Sequence, residues 1–325
     1  MRRKLLTILF LQLCVCTLQA QGFQRFLHRA DSLLDQRQRR KKIDTAYILR
    51  PKTKWTVTGR VKVTGTKLEI EGKEHGVPFH SKMKADYKST ISVGVNYSGV
   101  SLFLSLNPAK LMGKYKDFEL NLSSYGNRWG FDVGYQDARN FTGWHDEEGR
   151  ERIDLPADVL RMKTFNANAY YAFNHKRFSY PAAFNQSCIQ RRSAGSFLLG
   201  LSGQWQFAEI DAQQFESQYK AITIGIGAGY GYNWVPGRNW LVHLSALPTF
   251  CLISHKTLLV NNEDVPFKYH FPEVIITGRG AIVRQFGNWF AGTSMQYNFN
   301  NVGDKNKLAV NNQKWLARLF VGCRF

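Results

Sequence analysis

From Trp55 to Phe325 apolar residues recur at every second position, in runs of about ten, and this period of two limits the fold more than any other feature. Ile222, Ile224, Ile226, Ala228, Tyr230 and Tyr232 alternate with Thr223, Gly225, Gly227, Gly229, Gly231 and Asn233. Phe197, Leu199, Leu201, Trp205 and Phe207 oppose Ser196, Gly200, Ser202, Gln204 and Gln206. The last residues, Lys314 to Phe325, repeat the pattern through Trp315, Ala317, Leu319, Val321, Cys323 and Phe325. Successive side chains on a strand point to opposite faces, so each run has one apolar face and one small or polar face. About twelve such runs can be counted.

Two architectures bury or shelter so many apolar faces: a β-sandwich and a transmembrane β-barrel. The connections favour the barrel. Short links at 97–98, 126–127, 234–238 and 286–287 alternate with longer stretches at 64–83, 108–116, 139–161, 210–218, 256–271 and 301–313. Tight turns on one side and six long surface loops on the other are the habit of outer-membrane barrels. Trp55, Tyr97, Trp129, Tyr135, Tyr232, Trp234, Trp240, Trp289 and Trp315 fall near run ends, where interfacial aromatics belong. The fold class expected is therefore an all-β, antiparallel, transmembrane barrel of about twelve strands, closed because lipid cannot satisfy an open sheet edge.

The first residues place that barrel. MRRK, then LLTILFLQLCVCTL, then a cleavage region near Ala20, read as a signal peptide over 1–20. Residues 21–52 read as a basic periplasmic arm and 53–325 as the barrel. An even strand count returns both termini to the periplasm, and the expected location is a Gram-negative outer membrane. The net charge is +20, and residues 21–54 carry ten Lys or Arg against Asp31, Asp35 and Asp44. An exported chain rarely meets nucleic acid, so anionic lipid headgroups or lipopolysaccharide phosphates are the expected counterparts. A solvated tail explains the charge equally well. Cys188, Cys251 and Cys323 have neither metal-ligand spacing nor a disulfide framework. No phosphate loop, zinc pattern or cofactor motif appears, so neither cofactor nor metal is expected.

The inward face reads as Asn, Ser, Thr, Gln and Gly, with Arg60, Lys62, Arg279 and Arg318 as its basic residues. The glycines of 219–233 either admit a plug against the wall or relieve crowding in a narrow barrel. One connection breaks the short-turn rule: His175 to Arg191 spans seventeen residues where a tight turn belongs. Tyr180, Pro181, Ser187, Arg191 and Arg192 mark it as a constriction inside the barrel or a segment packed on its rim. An ordinary long connection anchored by Phe178, Tyr180 and Phe184 is the third reading.

The stretch FSYPAAFNQSCIQRRSAGSFLLG (178–200), with Asp44, Thr45, Tyr47, Ile48, Pro51 and Trp55 before it, resembles domain-of-unknown-function family 4421. The resemblance covers about residue 44 to the end. It implies an exported outer-membrane barrel of Bacteroides-type bacteria and implies no activity.

His243-Leu244-Ser245 has the His-x-Ser spacing of outer-membrane phospholipase A, but Ala246-Leu247 follow where that enzyme has Asn-Gly. His243 and Ser245 also share the lumen side, away from lipid. They are the catalytic candidates for the alternative function, a lipid- or lipopolysaccharide-modifying hydrolase. The leading expectation is a non-enzymatic narrow channel or a binding and scaffold barrel, its small-molecule ligand unassigned. Its partners would be outer-membrane lipids, lipopolysaccharide and the barrel-assembly machinery. The terminal Phe325 resembles the signal that machinery reads.

Overall fold

The alternating runs fold as antiparallel strands. The computed structural model describes residues 43–325 apart from residues 54, 75, 98–99, 109–112, 114–117, 158, 213–214, 261–262, 266–272 and 305–307. The leader read at 1–20, the arm as far as residue 42 and the Ser98-Gly99 turn lie outside the described residues. In chain order the elements are β1 (Ile48–Leu49), β2 (Trp55–Glu74), β3 (Val77–Ala85), β4 (Lys88–Tyr97), β5 (Val100–Leu106), β6 (Phe118–Tyr125), β7 (Trp129–Ala138), β8 (Phe141–Glu147) and β9 (Ile153–Leu155). Then follow β10 (Leu160–Ala172), the helix α1 (Tyr180–Phe184), β11 (Ile189–Gln190), β12 (Ala194–Ala212), β13 (Phe215–Trp234), β14 (Trp240–Val260), β15 (Glu263–Val265), β16 (Val274–Phe286), β17 (Trp289–Asp304) and β18 (Leu308–Arg324).

Pairing runs β5–β4–β2–β18–β17–β16–β14–β13–β12–β10–β7–β6, all antiparallel. The ring closes one level higher. There β3, which turns back on β2, pairs with β8, which continues β7 (Phe79↔Glu147 to Ala85↔Phe141). The β18–β2 seam joins the two ends of the sheet sequence, from Leu308↔Gly72 to Arg324↔Thr56. Phe325 N–H donates to Trp55 O at 2.9 Å and finishes it.

The outward faces are apolar and bare: Phe197 is 71% exposed, Leu244 72% and Leu319 64%. An apolar belt of that extent on a soluble protein would aggregate; in a membrane it is the lipid contact. Trp55, Trp129, Trp234, Trp240 and Trp289 ring the short-turn end. Tyr87 packs against Trp315 (centroids 5.6 Å apart) and Phe118 against Tyr135, both tilted, at the second aromatic level. Trp315 pairs with Gly65, ten residues along β2 from Trp55. Ten residues rise roughly 33 Å along a strand, and about 23 Å along the membrane normal at a tilt near 45°. That is close to the apolar band of about 25 Å on outer-membrane barrels.

The long surface loops expected from sequence are mostly strand. β2 and β3 fill 64–83, β12 and β13 fill most of 210–218, and β17 and β18 fill most of 301–313. Above the hydrocarbon the outward face meets water while the inward face packs on apolar neighbours, so the alternation inverts, with Lys67 and Glu69 outside and Leu68 and Ile70 inside. Charged pairs such as Lys67–Glu69 (2.6 Å) and Lys82–Glu69 (3.6 Å) occupy that outer wall.

The lumen is layered. Along β10 the inward residues run Tyr170, Asn168, Asn166, Thr164, then Met162 and Leu160; along β2 they run Arg60, Lys62, Thr64, Thr66, then Leu68 and Ile70. The upper set packs with Met83, Ala85, Ala138 and Phe141 into an apolar cluster. The inward face is thus small and polar only in its middle; its long-loop end is sealed by apolar side chains. Inward Leu316 and Phe320 also break the alternation of the last strand.

Candidate functional site: a plugged and charged lumen

The seventeen-residue exception folds inward. Ser179 caps α1, accepting from Ala182 N–H at 3.3 Å, and Pro181 starts the helix with its φ already suited to one. Phe178, Tyr180, Ala182 and Ala183 are at most 2% exposed. Tyr180 packs on Tyr170 (4.5 Å), Phe184 (5.6 Å) and His243 (5.0 Å). Burial of each of the three large aromatics contributes roughly 1.5–3 kcal/mol. Gly231 is the wall position beneath them. A Cβ there would come within 2.9 Å of the Phe178 ring, so of the two glycine readings plug approach holds at this position.

Polar groups fasten the segment. Gln190 Nε2 donates to the carbonyls of Arg177 (2.6 Å) and Arg192 (2.9 Å), while its Oε1 accepts from Ser179 N–H (3.1 Å) and Asn233 Nδ2 (2.9 Å). Ser179 Oγ donates to Asn127 Oδ1 at 2.7 Å. Arg324 Nη2 donates to Gln186 O at 3.0 Å. Ser187 stays local, bonded to Asn185 Oδ1, and the side chains of Arg191 and Arg192 are exposed at the rim. Here the two stretches that carried the family resemblance meet: β1 pairs with β11, Arg191 N–H donates to Tyr47 O (2.7 Å), and Arg177 pairs with Asp44 (3.2 Å). Residues from Asp44 onward therefore belong to the barrel's unit, so the arm expected over 21–52 stops short of Asp44.

His243 and Ser245 point into the lumen under this plug. His243 Nε2 lies 3.0 Å from Ser245 Oγ and Nδ1 lies 2.6 Å from Asn233 Oδ1. Asn233 Nδ2 donates to Ser179 O and Gln190 Oε1, which leaves Oδ1 to accept. Nδ1 must then carry the proton and Nε2 accept from Ser245 O–H. This is the order nucleophile, base, orienter. Tyr180 O–H donates to the same Oγ at 3.0 Å, and Ser245 is 5% exposed. Sequence reasoning did not find Asn233: a link at 234–238 centres on residue 236, whereas the observed register centres on 238 and sets Asn233 opposite His243.

Between plug and apolar cluster lies a chamber. Its void is about 110 Å³, bordered by amide side chains of β7, β10, β12, β17 and β18 and by Lys314 and Arg318. Bonds cross it. Arg279 reaches Asp132 (2.5 Å), Lys314 reaches Gln136 (2.6 Å), Asn300 reaches Gln204 (3.1 Å) and Lys62 reaches Glu119 (3.3 Å). Each joins strands that are not neighbours in the sheet. Asp132 also accepts from Tyr125 O–H at 2.6 Å. Arg60 projects inward below Lys62 on β2. Asp132, Glu119, Lys88 and Lys314 are lumen residues that the sequence reading did not single out; their inward parity on strands was the available signal.

A family model described as "Domain of unknown function (DUF4421)" matches residues 42–325. The chain belongs to the DUF4421 family. No curated protein matches it. Among solved structures it is similar to the outer membrane protease OmpT of Escherichia coli (7% identity, 83% of this chain and 97% of that one covered, TM-score 0.47). It is also similar to OprG of Pseudomonas aeruginosa (11%, 85% and 97%, TM-score 0.28) and to the translocator domain of the autotransporter NalP of Neisseria meningitidis (12%, 85% and 90%, TM-score 0.29). At these TM-scores the likenesses add nothing to the DUF4421 barrel described above.

Proposed function

We propose that this DUF4421 protein is an outer-membrane barrel whose lumen is held closed, and that it works as a binding and scaffold barrel and not as an open channel. The observation that carries the reading is the segment 174–193, which fills the short-turn end and is tied to the wall through Ser179, Gln190 and the Gln186 carbonyl. The apolar belt supports contact with outer-membrane lipids and lipopolysaccharide. The short-turn end is the periplasmic one, and the β18 strand ending in Phe325 is what the assembly machinery recognises. Purified full-length chain added to planar bilayers is expected to produce no stepwise conductance. Sustained single-channel steps from the wild type would overturn the closed reading.

The Ser245–His243–Asn233 relay favours a second reading, an acyl hydrolase. For attack, a carbonyl carbon must approach Ser245 Oγ, and Tyr180 and Phe184 occupy that approach. In the closed state the relay is an anchor for the plug. A fluorophosphonate probe is therefore expected to leave Ser245 unlabelled. Labelling that disappears in Ser245→Ala would establish the hydrolase instead.

A further inference from the structure

The middle of the lumen gathers its basic side chains on one side of the wall. Lys88 on β4, Arg60 and Lys62 on β2, and Lys314 and Arg318 on β18 all project inward from three adjacent strands. The register sets Lys62 opposite Arg318, Lys88 opposite Thr64 and Lys314 opposite Thr66, so the five cations form one patch of wall. Arg279 on β16 is a sixth. Against them stand Glu119 and Asp132. Glu119 is held by Lys62, and Asp132 is held by Arg279 and Tyr125. Among the described residues no carboxylate lies within ion-pair distance of Lys314 or Arg318, and both border the void. Lys314 and Arg318 thus face the void with no carboxylate paired to either.

An enclosed charge without a partner costs several kcal/mol, and neutral amides and a few waters do not remove the mutual repulsion of cations on one wall. A counter-ion does. The groups facing the void are guanidinium, ammonium and amide, which offer many N–H donors. An acceptor-only group with its charge spread over several oxygens matches them, as Arg and Lys match phosphate elsewhere. The void of about 110 Å³ has room for such an ion.

We infer that the chamber is a binding site for a single small oxyanion of phosphate or sulfate size, held by Lys314 and Arg318. The inference rests on the closed-lumen reading, because an open pore would exchange the ion with bulk solvent.

The full chain is folded into detergent in sodium phosphate, sodium sulfate, glycerol 3-phosphate or sodium chloride at matched ionic strength, and its thermal midpoint is recorded. Phosphate or sulfate is expected to raise the midpoint saturably over chloride. Arg318→Gln and Lys314→Gln should each weaken the response at least tenfold. In chloride each should melt no lower than wild type, since each removes a repulsive charge. Arg161→Gln, which loses an outward pair with Asp137, should keep the full response. Phosphate acting alone assigns the free ion; glycerol 3-phosphate acting as well assigns a phosphoester. Equilibrium dialysis of labelled phosphate against wild type needs no variant and should retain about one ion per chain. No response beyond chloride together with no retained phosphate, or a response unchanged in both variants, overturns the inference. Silent bilayers with no anion uptake would remove the anion site and leave the closed barrel standing.

Discussion

At the scale of the residue, Gln190 is where the plug is most exposed to a single change. It is 4% exposed, and its one amide satisfies two carbonyls, a backbone N–H and the Asn233 amide. Gln190→Ala takes the partner from the buried Ser179 N–H and from the carbonyls of Arg177 and Arg192 and leaves Asn233 Nδ2 only its bond to Ser179 O; a buried group left without a partner costs on the order of 1–3 kcal/mol before relaxation or water entry. A net loss of about 3 kcal/mol is expected, read as a lower thermal midpoint in detergent and as new protease cleavage within 174–193. An unchanged midpoint with the segment still protected would show that the wall holds the plug by aromatic packing alone. Gln190 was inside the stretch that broke the turn rule, but its role needed the fold: its four partners come from the plug, the rim and β13.

At the scale of the element, β18 matters because it has two partners far apart in sequence. It pairs with β17 on one side and closes the ring on β2 on the other, over Leu308↔Gly72 to Arg324↔Thr56. Phe325 adds the last backbone bonds, to Trp55, and exposes 65% of its surface beside the Trp55 girdle. Deleting Phe325 removes those bonds and an interfacial aromatic. The expected outcome is a lower level of heat-modifiable folded barrel in membranes, with the residual barrel unchanged in melting by more than about 1 kcal/mol. Normal folded levels would mean that recognition does not involve this residue. Alternation revealed this strand's lipid-facing side. It did not reveal that Leu316 and Phe320 are buried in the lumen, because an apolar residue at an inward position is recognisable only once something inside is there to pack on it.

At the scale of the whole molecule, the belt sets the energetics. Leu201 sits midway up β12 and is 57% exposed on the outward face. Leu201→Arg places a charge in hydrocarbon and should cost roughly 2–4 kcal/mol, whereas Thr257→Arg, on the outer extension of β14, should cost about 0–1 kcal/mol. Urea unfolding from lipid vesicles measures both. Equal effects at the two sites would contradict the belt position derived from Trp55 and Trp315. The strand number, the barrel class and the outward face were all open to a reader of the sequence, because a membrane imposes a strict period of two on every crossing. The surface loops read from sequence are strand because above the hydrocarbon the faces invert, charged outside and apolar inside, and the runs no longer match the lipid-facing pattern. The relay at Ser245 was half visible, as a His-x-Ser spacing, while Asn233 was fixed by hairpin register. What the sequence by itself determined is the wall, since alternation, aromatic spacing and short turns are local and lipid reads them one strand at a time. What only the tertiary structure decided is the inside. Whether 174–193 turns inward, which cations share one patch and which amides bridge the lumen depend on strands brought together by closure, and no local pattern encodes those distances.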